Sequence, residues 1–140
     1  MRTLTWLIFG ALTLTQAQAA TVMYTAMMDG KSEVPAVETS GSGSGQLIFD
    51  PATKEGRWLV SWQGLSGPAT AAHVHCGAEA GANAGVALNL GDASSGKASG
   101  TGKFTDAQFS DLEAGKCYIN VHTEKNKGGE IRGQIKKTNF

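Results

Sequence analysis

The chain has three histidines, and they fall in two segments of similar pattern, Ala72-His73-Val74-His75-Cys76 and Ile119-Asn120-Val121-His122-Thr123. Both read as β-strands. Residues i and i+2 of a strand point to the same face, with Cα atoms roughly 6.5–7 Å apart. His73 and His75 therefore project side by side, and His122 can join them from a neighbouring strand. Three neutral imidazoles gathered in this way suit copper or zinc, and Cu(II) leads the affinity order for such sites. One ion per chain is expected, its fourth position filled by water, substrate, or a residue from a loop or another subunit. The alternative is structural: half-buried histidines satisfied by backbone carbonyls or by nearby Asn120 and Glu130.

Metal-bound imidazoles are commonly oriented by groups behind them. Glu33, Asn120, Glu130 and Arg132 are the candidates for that role. Glu130 and Arg132 read as same-face neighbours on the last strand, expected to pair with charged partners across the sheet. An Arg beside a metal would also steer anions. Met23, Met27 and Met28 lie in the first strand and are expected to fill the core. A thioether ligand, which would favour Cu(I), is the alternative use of one of them.

No serine or cysteine nucleophile triad is visible, and no phosphate-cradling glycine loop precedes a helix. Asp92, Asp106 and Asp111 read as turn and cap residues, so no catalytic carboxylate pair emerges. The residues point to binding and not to catalysis.

Both cysteines, Cys76 and Cys117, flank the histidine segments. By strand parity Cys76 faces away from His73 and His75, and Cys117 away from His122. A Cys76–Cys117 disulfide would cross-link the strands behind the histidines. Closing a loop of about 40 residues would stabilise the fold by roughly 4 kcal/mol on the chain-entropy model. A soft metal-ligand role for Cys76 competes with this reading; parity and an oxidising compartment favour the disulfide.

That compartment is implied by the N-terminus. Arg2 supplies a positive charge, Leu4 to Leu14 form an apolar run, and Ala17-Gln18-Ala19 fits a small-x-small cleavage site. Residues 1–19 read as a signal peptide, with a run too short to span a bilayer. The protein is expected in the periplasm or secreted, with no transmembrane segment after cleavage. The 12 Lys and Arg fall to 11 once Arg2 is removed, against 12 acidic side chains. A near-neutral surface without basic runs argues against nucleic acid and anionic membranes as partners. A metal ion, a second copy of the chain, or an envelope protein remain.

Residues 20–140 suit one domain. Glycines spread along the chain indicate many short strands and tight turns. Strands are expected at Val22–Met28, Gln46–Phe49, Arg57–Trp62, Ala71–Cys76, Val86–Leu90, Cys117–Thr123 and Glu130–Lys136. Gly91–Gly102 reads as loop or edge strand, and Gly77–Gly85 as a surface loop. One short helix, about 105–114, is signalled by the capping box Thr105-Asp106-Ala107-Gln108 and by Gly115 at its end. The fold class is all-β, an antiparallel sandwich or barrel.

Five motifs then occur in order: Glu33-Val34-Pro35, Gly64-Leu65-Ser66-Gly67-Pro68, Ala72-His73-Val74-His75, Asn120-Val121-His122-Thr123, and Gly128-Gly129-Glu130-Ile131-Arg132-Gly133-Gln134. From about Tyr24 to Ile135 the chain resembles CHRD domains, the modules first described in chordin. The resemblance implies an immunoglobulin-like β fold and an extracytoplasmic location. It does not carry over growth-factor antagonism, which belongs to cysteine-rich modules this chain lacks. The His-Val-His and Val-His strands are also similar to the copper-ligand pattern of Cu/Zn superoxide dismutases, which would map His73, His75 and His122 onto copper ligands. The fourth histidine and the zinc ligands of that family are missing, so dismutase activity ranks below passive binding and below an interaction or adhesion module with structural histidines.

Overall fold

Tyr24, Ala26 and Met28 are buried along the first strand while Met27 and Asp29 are exposed, the period-two pattern of a sheet with one face on a core. The same alternation runs through Leu47 and Phe49 on the second strand and Trp58 and Val60 on the third. The structure is a computed structural model that describes residues 20–138, so the expected signal peptide lies outside the described residues. The strands are β1 (Val22–Asp29), β2 (Ser42–Asp50), β3 (Glu55–Gln63), β4 (Ala69–Cys76), β5 (Val86–Asn89), β6 (Lys97–Lys103), β7 (Cys117–Thr123), β8 (Ile131–Gln134) and β9 (Lys136–Lys137). Among the described residues one helix, α1 (Asp106–Glu113), precedes β7.

All the pairings are antiparallel, in one sheet of order β5-β4-β7-β8-β1-β2-β3-β6, with β9 added to β1. The sheet curls into a nearly closed barrel. Its end strands approach each other around Trp58, whose indole N–H donates to the Leu90 carbonyl beyond β5 at 3.0 Å. Gly100 and Gly102 on β6 lie under that indole; a Cβ at Gly100 would stand 2.9 Å from the ring. The glycine-rich segment is therefore an edge strand that makes room for a tryptophan.

Met28 packs in the core, but Met27 is 77% exposed and Met23 half-buried, because both point outward from β1. The expectation that the methionines fill the core holds for Met28 alone. Among the described residues no thioether stands beside the histidines, since β8 separates β1 from β7. The last expected strand, Glu130–Lys136, is two: β8 pairs mainly with β7, and the chain then crosses at buried Ile135 so that β9 pairs with β1.

Helix α1 begins as its sequence signals. Thr105 accepts from the Gln108 backbone N–H, and the Gln108 side chain accepts from the Thr105 N–H, at 3.2 and 2.9 Å. Phe109 stacks on Phe49 with ring centroids 5.0 Å apart, and Leu112 is buried, so the helix plugs one end of the core. Thr105→Ala should lower stability by about 1 kcal/mol in urea unfolding, the usual cost of losing an N-cap.

Candidate metal centre

Strand register sets the site. In the β4–β7 ladder His73 pairs with Asn120, His75 with Tyr118, Ala71 with His122, and Cys76 with Cys117. Odd residues of β7 (Cys117, Ile119, Val121, Thr123) go to the core; Tyr118, Asn120 and His122 go to the other face with His73 and His75. The cysteines form a disulfide on the core side, with Cα atoms 4.1 Å apart. A thiolate ligand is thereby removed from Cys76, and no free cysteine remains among the described residues.

The histidine nitrogens gather in one place: one ligand atom from each of His73, His75 and His122 lies within 4.8 Å of the others. His73 Nδ1 and His122 Nε2 are 3.0 Å apart. His122 Nδ1–H donates to the Lys127 carbonyl at 2.9 Å, which fixes the tautomer and leaves Nε2 as an acceptor toward His73. His75 lies between two oxygens, Ala84 O at 2.9 Å from Nδ1 and Asn120 Oδ1 at 3.0 Å from Nε2. A neutral ring can donate to only one of them.

Burial is the main cause that lowers the pKa of His73, helped by His122 and His75. Burial also lowers that of His122, with the Lys127 carbonyl opposing and His75 assisting. Both rings are held toward the neutral form, the form that binds metals.

Behind the rings is a packed polar layer. His75 stacks on Tyr118 with centroids 4.7 Å apart and planes 3° from parallel. The Arg132 guanidinium lies 3.4 Å from the centre of the same tyrosine ring. Arg132 is 1% exposed, and contrary to the expectation of charged partners across the sheet its hydrogen bonds go to neutral oxygens of a loop. It donates to the Ala82 and Glu79 carbonyls and to Asn83 Oδ1, at 2.7, 3.5 and 3.1 Å. Gln134 donates to the Ala78 and Gly115 carbonyls. The Gly77–Gly85 loop is thus drawn over the layer by its own main chain.

Glu33 enters from the loop after β1. Burial raises its pKa, while the Arg132 charge, the adjacent Asn120 amide and the Val34 N–H oppose the shift. Its Oε1 is buried without a hydrogen-bond partner. Asn120 therefore stands between His75 and Glu33.

Glu130 is elsewhere. It precedes β8, so strand alternation does not govern it, and it makes no contact with an imidazole. Thr39 Oγ1 and Ser66 N–H donate to its Oε1; Ser66 Oγ, Thr123 Oγ1 and Asn126 Nδ2 donate to its Oε2. It organises the turn after β7 and does not orient a ring. Tyr118 and the Ala84 and Lys127 carbonyls are the contributors that residue types did not suggest, although Tyr118 shares the parity of Asn120 and His122.

The family model of the CHRD domain matches residues 24–135. The chain belongs to the CHRD family. No curated protein matches it. The CHRD match runs from β1 to Ile135, just before β9, so it takes in all three histidines, the disulfide and the layer around Tyr118. The disulfide fits an extracellular type of domain. Among the described residues, no helix is long and apolar enough to cross a membrane.

Proposed function

We propose that this CHRD-domain protein is exported to the periplasm or secreted, and that it binds one copper ion, with zinc as the alternative, through His73, His75 and His122. Its role is metal binding or handling. The observation that carries this reading is the convergence of three imidazole nitrogens within 4.8 Å of one another. Two metal–nitrogen bonds of about 2.0–2.1 Å span roughly 3.3 Å in tetrahedral geometry. The 3.0 Å separation of His73 Nδ1 and His122 Nε2 is close to that, so an ion can replace the proton between them. His75 must exchange its Asn120 contact for the metal and close by roughly 1–1.5 Å. The carbonyls behind His122 and His75 serve as the supports that ligating imidazoles commonly have.

The full chain, expressed with its leader and recovered from the periplasm, should begin at Ala20 by mass and take up about one copper per chain. His73→Ala or His75→Ala should weaken uptake by about 100-fold or more, read by competition with a chromogenic chelator. A wild-type protein that stays metal-free in a micromolar copper excess ends this reading. The second reading, an extracytoplasmic interaction module with structural histidines, draws on the two hydrogen-bond contacts that already engage His75. It expects the histidine variants to lose stability instead of a ligand.

A further inference from the structure

Three neutral imidazoles bring no negative charge to a divalent ion, and the acids of this region do not supply it. Glu33 stands behind Asn120, Glu130 is enclosed by Ser66, Thr39 and Thr123, and Glu124 pairs with Lys127 at 3.5 Å. We infer that the metal-loaded site takes a small monodentate anion as its fourth ligand, directly on the metal, an inference that rests on the metal reading above.

Among the described residues the neutral donors near the site are engaged elsewhere, save Asn120 Oδ1, which His75 gives up when it turns to the metal and which is therefore the protein donor the anion must outcompete. The cysteines are tied in the disulfide on the opposite face. Met27 and Met28 belong to β1, two strands from β7. Asn89 pairs with His73 across the β4–β5 ladder, but its Oδ1 accepts the Gly91 N–H at 2.9 Å.

The remaining coordination position also has a way out. His75 is buried, covered by Ala84 and stacked on Tyr118, whereas His73 and His122 are only half-buried. A ligand can therefore arrive past His73 and His122 without moving the loop. The side-chain charges nearby offset one another: Lys127 pairs with Glu124 in the turn after His122, and Arg132, against the Tyr118 ring, acts on Glu33. The attraction for an anion therefore comes from the bound ion itself, whose charge three neutral imidazoles leave uncompensated. An open position on a metal with three protein ligands is the arrangement that admits exogenous ligands.

The probe is azide. The full chain, loaded with one equivalent of Cu(II) in chloride-free buffer, is titrated with sodium azide and followed by electron paramagnetic resonance and visible absorption. The expected result is a saturable one-to-one change in the copper resonance with a new azide-to-copper charge-transfer band, all of the copper staying with the protein on ultrafiltration. A copper-loaded protein whose resonance ignores azide overturns the inference while leaving the three-histidine site intact, because a protein donor then closes it. Azide that strips copper into the filtrate also overturns it. Failure to take up copper at all removes the metal reading and this inference together.

Discussion

Glu130→Gln is expected to lower the free energy of unfolding by about 3 kcal/mol at neutral pH, measured by urea denaturation. Glu130 is fully buried, and five donors converge on its two oxygens at 2.6 to 3.0 Å. Burial alone would raise its pKa; hydrogen bonds from Ser66, Thr123, Thr39 and the Ser66 N–H outweigh it and hold the carboxyl at about 2. The folded-state value thus lies below the unfolded one. The stabilisation is complete above the unfolded pKa of about 4.3–4.5 and is lost as pH falls from there through about 2. Wild-type stability should decline across that window, and the Gln variant should lack this part of the decline. A glutamine amide also turns one acceptor into a donor that faces hydroxyls and amides already donating. An acid profile that is the same in both proteins would assign the loss of stability to some other carboxylate.

Cys76→Ser with Cys117→Ser should cost about 4 kcal/mol, the loop-closure entropy of a cross-link spanning 41 residues. For a domain of this size that corresponds to a melting temperature lower by roughly 15 °C. Dithiothreitol should lower the wild-type transition to that of the double variant and leave the variant unmoved. The β4–β7 ladder persists without the bond, and the histidines project from the opposite face of the same strands. The folded variant is therefore expected to keep its copper uptake while melting earlier. Loss of uptake in folded protein would mean that the covalent link itself fixes the ring positions.

Strand parity makes a large part of this molecule legible in its sequence. It placed His73, His75 and His122 on one face and Cys76 and Cys117 on the other, because period-two alternation survives whatever the neighbouring strands turn out to be. The helix was readable because Thr105 and Gln108 satisfy each other locally. What escaped depends on contacts distant in sequence. The Ser/Gly run before Gln46 belongs to β2 because Ile119, on a strand far along the chain, fills the space a Gly45 side chain would need. Glu130 misled because alternation was extended one residue past the start of β8. Arg132 misled because a buried cation suggests an acid, while its partners here are mostly peptide oxygens, which no residue type announces. Gly133 belongs to the same group: a Cβ there would run into the Met27 carbonyl, so the Gly128–Gln134 motif reads in three dimensions as packing and support for the turn and the loop.

The way the Gly77–Gly85 loop is fastened bears on how the chain can diverge. Arg132, Gln134 and His75 grip the oxygens of Ala78, Glu79, Ala82 and Ala84, and every amino acid presents the same oxygen. Asn83 alone lends Arg132 a side chain. Substitutions at Glu79, Ala80, Ala82 and Ala84 can therefore accumulate while the path of the loop is kept. Homologues would be free to rewrite the outward lettering of this segment, and with it whatever the loop displays, while Tyr118, Arg132 and the three imidazoles stay as they are.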